Sequence, residues 1–121
     1  MKVPSVEEYV TAFENCEKPI KGRVKLLLAH YNSLEKTTTM TELSRMVGYN
    51  NFESGNLHYG KLARIICEDM NRKPGDIYSG TDCWIVTLVR FRKRPDDKHI
   101  KLIMHDNVAE AISRLGWATP R

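Results

Sequence analysis

The 121-residue sequence has no apolar run that could cross a bilayer. Its longest uncharged apolar stretch lies around Trp84 to Val89, far short of the roughly 20 residues a spanning helix needs. Met1-Lys2-Val3-Pro4 runs straight into an acidic segment, so no signal-peptide apolar region is read there. The three cysteines, Cys16, Cys67 and Cys83, are odd in number and widely spaced, with no C-x-x-C pair, and the four histidines show no ligand spacing beside them. That pattern argues against a disulfide framework or a zinc site and predicts reduced, mostly buried thiols in a cytoplasmic protein.

Catalytic patterns are missing too. There is no G-x-x-x-x-G-K-[ST] phosphate loop. Pro95-Asp96-Asp97-Lys98 superficially suggests a PD-(D/E)xK nuclease, but that site draws its acids from separate strands, and here they crowd into one tight turn. Cys83 with His99 or His105 has no spacing that supports a nucleophile pair, and both histidines read as surface residues. His30, beside the apolar face of its helix, reads as a packing or hydrogen-bonded residue. No catalytic residue, metal site or cofactor is therefore expected, and the protein is not read as an enzyme. With no repeat, low-complexity tract or linker, residues 1–121 read as one domain.

With 41% hydrophobic and 28% charged residues the composition is globular. Charge placement is more telling than its total. Of 19 basic and 15 acidic side chains, Arg90, Arg92, Lys93, Arg94, Lys98 and Lys101 fall between Val89 and Met104 against only Asp96 and Asp97. The remainder is balanced, so the whole formal excess of +4 sits in one short segment. Such a patch suits a polyanionic partner, although a solvated hairpin is an equally simple reading of it alone.

Ser5-Val6-Glu7-Glu8 reads as a capping box opening a helix with Val6, Tyr9, Val10 and Phe13 on its core face. Pro19 marks the first turn of a second helix carrying Ile20, Val24, Leu27, Leu28 and Tyr31, with Lys21, Arg23 and Lys25 opposite. After a connector at Lys36–Thr39, a second capping box, Thr39-Met40-Thr41-Glu42, opens a short helix with Met40, Leu43, Met46 and Val47 inward and Gly48 at its end. Asn50-Asn51 then offers an N-cap for a longer helix reaching towards Pro74-Gly75. Trp84–Arg92 and His99–Met104 read as two strands around the turn Arg94-Pro95-Asp96-Asp97. On that hairpin Arg90, Arg92, His99 and Lys101 are expected on one face, with Val89, Phe91, Ile100 and Leu102 turned to the core. A last helix from Asp106 or Asn107 buries Val108, Ala111, Ile112 and Leu115 and stops at Gly116, with Trp117 folding back. Tyr31, Phe52, Trp84 and Trp117 read as core aromatics.

The expected fold is α+β and winged helix-turn-helix-like: about four helices, a β-hairpin and a C-terminal helix. In that arrangement the second helix of the pair enters a DNA major groove and the hairpin, as a wing, holds phosphates. The nucleic-acid-binding residues are then Asn50, Asn51, Ser54, Asn56, His58, Tyr59 and Lys61 on the reader helix and Arg90, Arg92, Lys93, Arg94, Lys98 and Lys101 on the wing. Asn amides can pair with adenine edges, and Ser, Tyr and Lys suit phosphate oxygens. Gly55 and Gly60 each cost roughly 1 kcal/mol inside a helix and so call for a compensating close approach.

The runs Leu26-Leu27-Leu28-Ala29-His30-Tyr31, Met40-Thr41-Glu42-Leu43, Val47-Gly48-Tyr49-Asn50-Asn51-Phe52 and Asn56-Leu57-His58-Tyr59-Gly60-Lys61-Leu62-Ala63 span much of the chain. Together with Trp84 and Leu115-Gly116-Trp117, they resemble a little-characterised bacterial group of small helix-turn-helix-like proteins. That group also occurs as segments attached to HNH-type nucleases in restriction and phage-defence settings. The resemblance implies a DNA-related role. No HNH metal finger is present, so it implies no cleavage. The expected partner is double-stranded DNA, read by a monomer or a homodimer. The alternative is a protein-interaction module, or a phage-encoded inhibitor, binding an acidic or nucleoprotein partner through Tyr49, Phe52 and Tyr59.

Overall fold

The computed structural model describes residues 1–118. Helix α1, Val6–Asn15, begins as its capping box requires: the Glu8 backbone N–H donates to Ser5 Oγ (3.2 Å) and the Ser5 N–H donates to Glu8 Oε2 (2.8 Å). The second helix is broken in two, α2 (Glu17–Ile20) and α3 (Val24–Tyr31). Pro19 sits in the short first piece, and a tight turn, with the Arg23 N–H donating to the Ile20 carbonyl at 2.8 Å, restarts the helix. The bend lets Ile20, Leu26 and Leu27 all be fully buried.

The expected connector contains a two-residue strand, β1 (Thr37–Thr38), after a single 3-10 turn. Helix α4 (Met40–Met46) follows, capped by Thr39 Oγ1 on the Glu42 N–H at 3.2 Å. Glu42 does not complete the capping box; its carboxylate instead accepts from the Thr38 hydroxyl. Helix α5, Phe52–Asp69, starts on Asn51, whose side-chain oxygen accepts the Ser54 N–H at 3.0 Å. Pro74, expected after the last helical residue, opens a four-residue helix of its own, α6 (Pro74–Ile77).

Two strands remain, β2 (Val89–Arg92) and β3 (Lys101–Met104), before α7 (Asp106–Leu115), which ends on Gly116 at φ +70°. The sheet is antiparallel with order β1-β3-β2; Phe91 faces Leu102, Arg92 faces Lys101, and Thr38 also faces Leu102. The fold is therefore α+β, with a small three-stranded antiparallel sheet and more helical segments than the sequence pattern implied. Among the described residues no helix is long and apolar enough to cross a membrane.

The expected strand from Trp84 is half 3-10 helix, Trp84–Thr87. Burial explains the difference: Ile85, Val86, Thr87, Leu88 and Val89 are all buried, which an alternating strand with one solvated face does not allow. The 3-10 turn packs these side chains against α5 and α6 instead. His99 and Ile100 likewise fall outside β3.

The main core joins Tyr9 and Phe13 of α1, Leu43 of α4, Tyr59, Leu62 and Ile66 of α5, Leu88, Leu102 and Ile112. Trp117 folds back on it as expected, with ring centroids 5.5 Å from Phe13. Several side chains correct the pattern reading. Met46 is 53% and Phe52 51% exposed, and Cys83 is exposed, while Cys16 and Cys67 are buried. His105 is no surface residue: it is buried, with Nε2 hydrogen-bonded at 2.7 Å to the Val86 carbonyl.

Candidate nucleic-acid interface

The candidate surface is built where α4 crosses α5. At Gly55 an added Cβ would overlap Ser44 Oγ and stand 3.1 Å from Ser44 Cβ and 3.3 Å from Met40 Sδ. The two helices can approach this closely only because residue 55 has no side chain. The contact turns the face of α5 holding Gly55, Tyr59, Leu62 and Ala63 inward and leaves Glu53, Asn56, Leu57, Lys61 and Arg64 outward. Gly60 is different: nothing lies within 4 Å of its missing Cβ, so the close approach expected there is found only at Gly55.

The expected reader residues therefore divide. Asn50, Asn51, Asn56 and Lys61 are exposed, although Asn51 also caps the helix. Ser54 and His58 are half-buried on one flank. Tyr59 is corrected: it is fully buried and cannot touch nucleic acid. Its ring belongs to a polar clasp inside the core, in which Tyr59 Oη and His30 Nδ1 are 2.8 Å apart. His30 Nε2 lies 3.0 Å from both the Lys36 and the Leu102 carbonyls. Two carbonyls can only accept, so Nε2 carries a proton; burial pushes the imidazole pKa down to about 4 and keeps the ring neutral, so Nδ1 accepts from the tyrosine hydroxyl. The clasp ties α5 to α3 and to strand β3. Tyr59→Phe should cost about 1–3 kcal/mol in urea unfolding, because it strands a buried acceptor, and an unchanged midpoint would show that the clasp carries no load.

The hairpin also divides its charges. Residues opposite one another on antiparallel strands share a face, so Arg90, Arg92 and Lys101 lie together with Ile103 on one side. On the other side, Val89 and Leu102 enter the core as expected, but Phe91 remains 44% and Ile100 52% exposed. These two side chains, with Lys93, Lys98 and His99, line a groove of about 420 Å³ whose far wall is Phe52 and Asn56 of α5. No acidic residue lines it. The turn is held by the Asp97 carboxylate accepting the Arg94 N–H at 2.9 Å and by Lys93 Nζ on the Asp97 carbonyl. That N–H, then the charges of Lys101, Arg92 and Arg94, hold the Asp97 carboxyl below its usual range. Lys93 thus serves the turn as well as the surface, and Arg92 keeps a buried Nε without a partner.

Pattern reading missed two groups. Arg23 and Lys25 read as the solvated side of a helix, yet Arg23 Nε donates to His58 Nδ1 at 3.1 Å. Partial burial, then the charges of Arg23, Lys61 and Lys25, keep the His58 imidazole below its ordinary pKa. Of the exposed apolar residues, Phe91 and Ile100 read as core because they obey the strand period, and Phe52 because it is aromatic. Nothing in their spacing distinguishes a core position from a groove wall. Among the described residues no three His, Cys, Asp or Glu side chains gather closely enough to hold a metal ion.

The arrangement is thus an α+β fold in which a short helix crosses a long one beside a basic hairpin. No protein-family model, curated protein or solved structure matches the chain.

Proposed function

We propose that the protein is a DNA-binding module of winged helix-turn-helix type, serving as a regulator or as a recognition component in a restriction or phage-defence setting. The observation that carries this reading is the juxtaposition of Asn56, on the outward N-terminal half of α5, with Lys93, Lys98 and His99 of the hairpin across one groove free of acids. A helix presenting amides and Lys61 to a major groove places the hairpin tip against the neighbouring backbone. The short strand β1, which precedes α4 and pairs with β3, ties that hairpin to the helix pair. The resemblance of the Val47–Phe52 and Asn56–Ala63 runs to helix-turn-helix-like proteins of defence systems points the same way.

The test is fluorescence-anisotropy titration with random-sequence duplex at several salt concentrations. Affinity should fall with a log–log slope approaching about −4, corresponding to four or five phosphate contacts. In Arg94→Glu/Lys98→Glu the slope should flatten by about 2 with the fold unchanged by circular dichroism. No binding at low salt would overturn the reading.

One observation favours a second reading. Phe52, Phe91 and Ile100 expose apolar surface around that groove, and an apolar centre with a cationic rim also suits an acidic protein surface. A partner of that kind would be lost on Phe91→Ala and would leave duplex affinity at zero throughout.

A further inference from the structure

The surface flanking α5 on the side away from the hairpin groove carries a second cationic group, drawn from three separate elements. Arg23 begins α3 and Lys25 follows it, Tyr49 lies in the α4–α5 turn, and His58 and Lys61 stand one turn apart on α5. Arg23, His58, Tyr49 and Lys25 form a continuous chain, and Lys61 stands three residues after His58 on α5. Arg23 Nε donates to His58 Nδ1 at 3.1 Å, the His58 and Tyr49 rings are 5.4 Å apart, and Lys25 Nζ lies 4.9 Å from the Tyr49 ring centre. We propose that Arg23, Lys25, His58 and Lys61 form a binding site for one phosphate group.

Three features support it. The charges that bear on His58 are those of Arg23, Lys61 and Lys25, all of one sign. Among the described residues the ion pairs are made by Arg64, Arg72 and Arg114, and none by Arg23, Lys25 or Lys61. Like charges held together without a counter-ion repel, and an anion between them removes that repulsion. The donors also fit. With Nδ1 accepting from Arg23, the neutral imidazole carries its proton on Nε2, and the guanidinium uses only Nε on the histidine. An arginine fork, two ammonium groups and an imidazole N–H match the several acceptor oxygens of a phosphate. A phosphodiester of the nucleic-acid backbone is the source if the DNA reading above holds, since the site adjoins the outward face of α5; otherwise the source is free phosphate or a phosphate monoester.

The experiment follows the His58 ring by NMR in the full chain through pH titrations at low ionic strength. The titrations are run with inorganic phosphate, with a short random duplex, and with chloride at matched ionic strength. Phosphate oxygens favour the charged imidazole, whose added Nδ1 proton releases Arg23 Nε from the ring to the anion, so the His58 midpoint should rise by about one pH unit with the occupying species and stay put with chloride. In Arg23→Gln/Lys25→Gln that rise should vanish, and the salt slope of duplex binding should flatten by about 2. Movement with duplex alone identifies the backbone as the source. Movement with inorganic phosphate alone identifies a free phosphate site, and the DNA reading is then decided by the duplex salt slope. If duplex binds with its steep salt slope while neither addition moves His58, and the double variant keeps the wild-type slope, this site is overturned and the DNA reading stands.

Discussion

Lowering the pH from about 6.5 to about 4 should remove about 3 kcal/mol of folding stability through His30 alone. Burial pushes this imidazole from its ordinary value of 6.5 to about 4, against the two carbonyl hydrogen bonds that favour its charged form. The sign follows from linkage. The folded pKa is depressed, so between those two values the unfolded chain binds a proton that the folded chain refuses, and stability rises with pH across the window. Above about 6.5 neither state is protonated and the contribution is level. As pH falls towards about 4 the stability is lost, and below that value both states bind the proton and no more is lost from this group. At 1.36 kcal/mol for each pKa unit, the depression corresponds to the figure given. His105, also depressed by burial, acts in the same direction.

The structural reason is the clasp. A proton added to His30 Nδ1 would turn an acceptor into a donor facing the Tyr59 hydroxyl, which now donates to it across 2.8 Å. Tyr59 would have to reverse its own hydrogen inside a fully buried site. Urea unfolding at a series of pH values checks this against His30→Gln, which can still donate to a carbonyl but cannot titrate. The wild type should lose stability through the window while the variant declines much less. Parallel curves would mean that His30 is not the group responsible.

The second large effect is expected at Gly55. Replacement by Ala should destabilise by about 1–3 kcal/mol, and by Val more strongly, because the new atoms overpack a closed contact. The neighbour they meet is Ser44, whose hydroxyl is buried without a hydrogen-bond partner. Ser44→Ala alone should therefore be close to neutral, since it removes an unsatisfied polar atom. In that background Gly55→Ala should cost less, which a double-mutant cycle reads as a coupling of about 1 kcal/mol. If the two substitutions simply add, the helix crossing is looser than the structure shows. Because the crossing sets how α5 projects, Gly55→Val should weaken duplex binding as well as stability, whereas outward changes at Lys61 should affect binding only.

Much of this was readable from local chemistry. Ser5, Thr39 and Asn51 each cap the helix they were expected to cap, because a short polar side chain satisfying an orphan N–H is decided within four residues. Gly48 and Gly116 take positive φ where helices end, and the Asp97 turn forms from its own side chain. The position of the charge excess is a property of composition along the chain. Lys101 and Leu102 take opposite faces of β3 as their alternation implied, with Leu102 buried.

What lay beyond the sequence were choices made between distant segments. Thr37–Thr38 become a strand only because β3 arrives to pair with them; two residues carry no period. Trp84–Thr87 have strand-forming side chains, but α5 and α6 bury them on more than one side and a 3-10 turn results. Tyr59 looked like a surface contact among polar neighbours until the α4 crossing rotated it into the core beside His30. Phe91 and Ile100 obey the apolar period, yet both stay exposed, Phe91 within β2 and Ile100 just before β3. Arg23 and His58 are 35 positions apart, and only the packing of α3 on α5 joins them. Sequence by itself determined caps, turns and the location of charge, since these depend on neighbours a few residues away. Tertiary structure decided which polar residues face a partner, since exposure is settled by whichever distant element packs against them first.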